Sequence, residues 1–219
     1  MTEPSRFRLL AVPILITFAV TIFRLVGEFQ NWSPRLFSRQ PGGLGALVGI
    51  IWLAPLFGFY FGRRLLNVGH APPSTRRALM HALGAVPVLV GWGLLNALLW
   101  PPFQAQVLGA AAASLLVVVL QVRGWPELGK LLLWYAIGAR VPVVVIMLMA
   151  IYGQWGTHYD AFPAGFPLTQ PFQIWLWAGL LVQMTFWVGA TVLLGAVVGT
   201  VAAVASGRKA GVQPEMSPN

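Results

Sequence analysis

Residues 131–152 read LLLWYAIGARVPVVVIMLMAIY, 22 consecutive positions of which one, Arg140, is charged. A helix needs about 20 predominantly apolar residues to cross the hydrocarbon core of a bilayer, and this run supplies them. Five further apolar runs lie outward from it: Leu9 to Val26, Leu44 to Gly62, Ala78 to Trp100, Ala105 to Val122 and Ile174 to Ala205. The chain of 219 residues is 58% hydrophobic and 9% charged. Soluble domains carry about a quarter charged residues, so too little polar surface is present for a water-soluble globule. The sequence therefore predicts an all-α integral membrane protein, a bundle of six transmembrane helices with no soluble domain. One domain covers residues 1–205, and the polar tail 206–219 is expected to be disordered. The sixth run, at 32 residues, is too short for two spans and a turn. It reads as one tilted helix, bent near Gly189 or Gly195.

Charge placement sets an orientation. With the N-terminus inside, the cytoplasmic segments hold Arg6, Arg8, Arg63, Arg64, Arg76, Arg77, Arg123, Lys130, Arg208 and Lys209. The opposite side holds Arg35 and Arg39. Positive loops stay in the cytoplasm, so both termini are expected there and the segment Gly153 to Gln173 outside. Trp32, Trp100, Trp155, Trp175 and Trp177 fall near the outer boundary, the depth that amphipathic rings favour. Arg6 and Arg8 precede the first run as in a secretory signal, but Arg24 and Glu28 follow where a small-residue cleavage site would stand. That run is expected to be a retained helix. Twelve Arg against two Lys, with abundant Ala, Gly, Val and Pro, suit a GC-rich bacterial genome and hence a bacterial inner membrane.

Composition also excludes functions. No cysteine is present, which removes disulfides, thiolate metal sites and thiol catalysis. The net charge of +9 lies in short loops between apolar runs, not on one soluble face, so nucleic acid is not an expected partner. His81 is the one histidine within an apolar run and lies at its inner edge, which disfavours transmembrane haem. No GxSxG, HExxH or P-loop pattern occurs. No acidic residue lies deeper than Glu28, which disfavours a proton relay. No cofactor and no metal is expected.

Three constellations remain as candidate sites. Thr17, Thr21, Arg24 and Glu28 are spaced 4, 3 and 4 and share one helical face. Lipid cannot satisfy such a stripe, so it should face other helices or a water-filled cavity. The plainer reading is an Arg24–Glu28 pair anchoring the helix end; the functional one is a wall of an outward-facing pocket. Arg140, mid-run, costs about 2.5–3.5 kcal/mol to insert and needs a compensating partner. Pro142 frees the carbonyl of Gly138, so the choice is between backbone carbonyls at a kink and an anion, a lipid phosphate or a carboxylate from another helix. The third is GTHYD, Gly156 to Asp160. His158 and Asp160 read as a general acid–base pair or weak metal ligands with Glu28, or more plainly as groups that hydrogen-bond their own loop.

The candidate ligand-binding residues are thus Thr21, Arg24, Glu28, Arg140, His158 and Asp160, with His158 and Asp160 the weak catalytic candidates. The expected function is binding of a small anionic or lipid-headgroup ligand in an outward-facing polar pocket, in a transport-like or sensing role. Rival readings are an embedded transferase or hydrolase using His158, Asp160 and Glu28, and a non-catalytic subunit of a larger membrane complex. Gly45/Gly49, Gly58/Gly62 and Gly195/Gly199 are small-xxx-small pairs suited to close helix packing, within the chain or against an oligomer or complex partner. Membrane lipids are the general partner. The loop Gly153 to Gln173, rich in Gly, Pro and aromatics, is expected to form a lid on the membrane surface.

Overall fold

The computed structural model describes residues 6–43 and 48–206. Among the described residues six helices longer than one turn are formed: α1 (Arg6–Phe29), α2 (Leu53–Asn67), α3 (Thr75–Leu99), α4 (Phe103–Gly124), α5 (Pro126–Gly153) and α6 (Pro171–Ser206). No strand occurs among the described residues. Five helices, all but α2, are long and apolar enough to cross a membrane. Gly45, the start of the second expected run at Leu44, Arg208, Lys209 and the tail beyond Ser206 lie outside the described residues.

The exception, α2, corrects the second expected segment. Its helix begins at Leu53 and runs on to Asn67, while residues 48–52 are non-helical. At 1.5 Å per residue its 15 residues reach about 22 Å, short of a ~30 Å hydrocarbon core. Apolarity alone does not separate a spanning helix from a half-length helix fed by an irregular approach. Non-helical backbone at membrane depth is tolerated where protein buries it or a cavity borders it. Here Gly49, Ile50 and Ile51 border a cavity.

What holds α2 is its glycine face. A Cβ on Gly58 would overlap the backbone of Gly195, and one on Gly62 would stand 2.8 Å from the carbonyl oxygen of Gly199. Helix α2 therefore lies backbone to backbone on α6. All four glycines are buried in this contact within one chain, which leaves none of that face for a second. Leu53, Phe57 and Phe61 continue the contact into a core with Leu128, Leu132 and Tyr135 of α5 and Val192 and Ala196 of α6. Phe57 and Phe61 meet the Tyr135 ring edge-on at 5.3 and 5.7 Å.

Helices α4 and α5 form a hairpin through Trp125, whose indole N–H donates to the carbonyl of His70 at 3.0 Å. Helix α3 is interrupted at Ala85, two residues before Pro87, which cannot donate to the carbonyl of Leu83. Its second half, Val86–Leu99, buries no residue. Helix α6 is one continuous element of 36 residues. Its irregularity is not at Gly189 or Gly195 but earlier, where Trp175–Leu181 and Gln183–Trp187 are wound as wide π-helix. Such stretches are rare and concentrate at functional sites.

Candidate functional site

The site lies where the end of α1, the approach to α2, the end of α5, the loop 154–170 and the π-wound part of α6 meet. Thr17, Thr21, Arg24 and Glu28 are all buried, so the polar stripe faces the protein. The threonines satisfy themselves locally: Thr17 Oγ1 donates to the carbonyl of Pro13 at 2.8 Å and Thr21 Oγ1 to that of Thr17 at 2.9 Å. Thr17 also shares a hydrogen bond of 2.9 Å with the Tyr135 hydroxyl, fastening α1 to α5.

Glu28 is the hub of the next turn. Arg24 Nε donates to its Oε1 at 2.9 Å, and the backbone N–H of His158 donates to its Oε2 at 2.9 Å. His158 Nδ1 stands 2.5 Å from Oε1. Arg24 Nη2 donates to the carbonyl of Ser38 at 3.0 Å, and Arg39 Nη2 donates to the carbonyl of Glu28. The Glu28 carboxylate thus ties α1 to the last loop, while the Arg24 guanidinium and the Glu28 backbone carbonyl tie it to the 30–40 segment. Burial pushes the His158 imidazole below its ordinary pKa of 6.5, assisted by the charge of Arg24 and opposed by Glu28.

Asp160 does something else. Its carboxylate accepts from the backbone N–H of Gly156 at 2.8 Å and of Thr157 at 2.7 Å, and from Thr157 Oγ1 at 2.7 Å. This closes a tight turn through Gly156, whose φ of +66° suits glycine. The turn sends His158 to Glu28 and Asp160 back onto its own loop. Among the described residues no group of three or more His, Asp or Glu is placed to hold a metal ion.

Arg140 is 5% exposed. Its Nη1 donates to Gln183 Oε1 at 3.2 Å, its Nη2 lies 3.5 Å from Thr191 Oγ1, and Trp187 covers its guanidinium at 4.9 Å. Gln183 is in turn 3.6 Å from the sulfur of Met147. Nε has no partner, and no ion pair to Arg140 is formed among the described residues. The partners are side chains of α6, not the carbonyl freed by Pro142. Gln183, Trp187 and Thr191 recur every four residues along α6, and all three contact the guanidinium.

These groups border one cavity of about 790 Å³. Thr21, Arg24, Arg140 and His158 all line it, and Gln183 and Trp187 complete its polar wall. Glu28 lies behind Arg24 and His158 and does not line it; neither does Asp160. No acidic side chain is among the lining residues. Gly49 borders Arg24 so closely that an added Cβ would stand 3.4 Å from Nη1. The opposite wall is apolar, with Phe162 stacked on Phe166 at 4.7 Å and Phe166 edge-on to Phe103 at 5.0 Å.

Sequence reading missed Gln183, Trp187, Thr191 and Gly49. The available signal was that Gln183 is the one amide side chain within the sixth apolar run, a polar group lipid cannot satisfy. No known protein family matches the chain, and no curated protein or solved structure matches it either.

Proposed function

We propose that this protein binds an anionic ligand in the cavity between α1, α5, α6 and the last loop, in a transport-like or sensing role. The observation that carries the reading is Arg140: a buried guanidinium bordering the cavity, with an unpartnered Nε and neutral side chains around it. A charge removed from water is stabilised only by a counter-charge or a full set of hydrogen bonds. A bound anion supplies both. Arg24 lies on the same cavity but is matched by Glu28, so it orients a ligand without adding an unmatched charge.

In this reading the chain sits in a bacterial inner membrane with both termini cytoplasmic and the cavity on the outer side. The distribution of Arg and Lys supports that orientation. The test is thermal stabilisation of the purified protein by phosphate, sulfate, acetate and decanoate at constant ionic strength, in wild type and Arg140→Gln. Stabilisation by at least one anion, lost in Arg140→Gln, supports the reading. Equal responses in both proteins refute it.

A second reading draws on the Glu28–His158 contact. A carboxylate beside one ring nitrogen can orient a histidine as a general base, and His158 lines the cavity. An embedded transferase or hydrolase would use this pair, with Asp160 shaping the loop. Under that reading His158→Gln abolishes turnover of a bound lipid ester while binding persists; under the binding reading no turnover is found in either protein.

A further inference from the structure

The two walls of the cavity differ in kind. One carries Arg24, Arg140, His158 and Gln183; the other is aromatic and aliphatic, with Trp100, Phe103, Phe162 and Phe166 facing Val143 and Met147. A site evolved for a free inorganic anion gains nothing from so much apolar lining, because a small hydrated ion cannot use it. The volume of about 790 Å³ falls within the ~300–1,000 Å³ typical of sites for one compact organic ligand. It holds a head and one short chain, and leaves no room for two long ones.

The mouth points the same way. Trp100 lines the cavity and is 83% exposed, and the preceding turn of α3 is open, with Leu98 77% and Leu99 70% exposed. These residues end a helix apolar enough to face hydrocarbon. The apolar wall is therefore continuous with the surface that would meet lipid. Trp100 is also held in the left-handed backbone region, at φ 43° and ψ 52°, which a bulky residue rarely occupies. Retention of such a conformation is typical of ligand clamps and switch points. The aromatic contacts from Phe103 to Phe166 and Phe162 fasten the last loop over this wall.

From these observations we infer that the ligand is a single-chain anionic amphiphile, an alkyl phosphate or fatty carboxylate. Its head sits against Arg140 and its chain runs along Phe162, Phe166 and Phe103 toward Trp100. The inference rests on the anion-binding reading above and adds the class of ligand.

The experiment is a binding series with inorganic phosphate, butyl, octyl and dodecyl phosphate, and dodecylphosphocholine. Each is titrated into the full-length protein in a fixed excess of neutral maltoside detergent. Affinity is expected to rise along the phosphates, by up to about fourfold per buried methylene. Micellar partition works against the longer chains, so the detergent cannot produce that rise. The zwitterion should bind at least tenfold more weakly than dodecyl phosphate. The double variant Phe162→Ala/Phe166→Ala should flatten the chain-length dependence, weakening dodecyl phosphate by a larger factor than butyl phosphate. Arg140→Gln should weaken every phosphate; if it does not fold, the comparison with the zwitterion on the wild-type chain decides the same point. Equal affinity for inorganic and dodecyl phosphate, both weakened in Arg140→Gln, would overturn the amphiphile and leave the anion site standing. Dodecyl phosphate and the zwitterion binding alike, or no phosphate binding at all, would overturn both.

Discussion

Among the described residues Arg140 holds no carboxylate and bonds no backbone carbonyl; its guanidinium is spread over Gln183, Thr191 and the face of Trp187. Lysine keeps the charge but cannot fork between two acceptors or cover a ring with a planar group. Arg140→Lys should therefore weaken anion binding about tenfold while changing the melting temperature little. Pro142→Ala should leave binding as it is, because the kink carbonyl is not a partner; a loss equal to that of Arg140→Lys would return the arginine to the kink. His158 gives a pH dependence. Its folded pKa lies below the ordinary 6.5, so on acidification the unfolded chain takes the proton first. The stability contributed by the neutral ring is complete above about pH 6.5 and is lost as pH falls through the folded value. Melting temperature measured from pH 8 to 5 should drop more steeply in wild type than in His158→Gln, and parallel curves would contradict this. Asp160→Asn should cost about 0.5–1.5 kcal/mol of loop stability, the range for losing a partly exposed hydrogen bond. Its readout is faster amide exchange at Gly156 and Thr157. The stripe from Thr17 to Glu28 was legible because helical spacing and the cost of polar groups in lipid need no tertiary information. The partners of Arg140 lie 43 to 51 residues away on a helix whose winding departs from 3.6 residues per turn, and no local pattern announces them. Asp160 follows its plainer reading and hydrogen-bonds its own loop, because a short carboxylate beside a glycine turn meets the nearest backbone N–H groups first.

Helix α2 shows the same limit at the level of an element. Its apolar content was plain, but where the helix starts depends on residues 48–52 staying irregular beside the cavity, which hydropathy does not register. Two of the three glycine pairs serve close helix packing, Gly58 against Gly195 and Gly62 against Gly199, whereas Gly45 lies outside the described residues and Gly49 borders Arg24. A methyl group at Gly58 meets backbone, which cannot swing aside, whereas one at Gly49 would only touch Arg24 Nη1 at 3.4 Å, an ordinary contact. Gly58→Ala should destabilise the protein by about 1–3 kcal/mol or more, the range for overpacking. Gly49→Ala should fold normally and alter ligand affinity alone. Thermal unfolding in detergent beside a binding titration separates the two, and a stable Gly58→Ala would mean that α2 does not lie on α6 as described. The π-wound stretch of α6 had no counterpart in the sequence reading.

For the molecule as a whole, six apolar runs became six helices, five of them long enough to span a bilayer. The basic residues Arg63, Arg64, Arg76, Arg77, Arg123 and Lys130 fall in or beside the connections at the end of the bundle away from the cavity. If that end is cytoplasmic, a cysteine at exposed Ser74 of this cysteine-free chain should label only from inside, and one at exposed Ala164 only from outside. The reversed pattern would put the cavity in the cytoplasm. Everything functional turns on what occupies the space beside Arg140. The most direct measurement is an experimental structure of the protein soaked with an alkyl phosphate brominated at the end of its chain. The expected result is a phosphate within about 3 Å of the Arg140 guanidinium and the bromine near Phe162 and Phe166. Bromine density confined to the lipid-facing surface, with Arg140 still held by Gln183 and Thr191 alone beside a water-filled cavity, would contradict it.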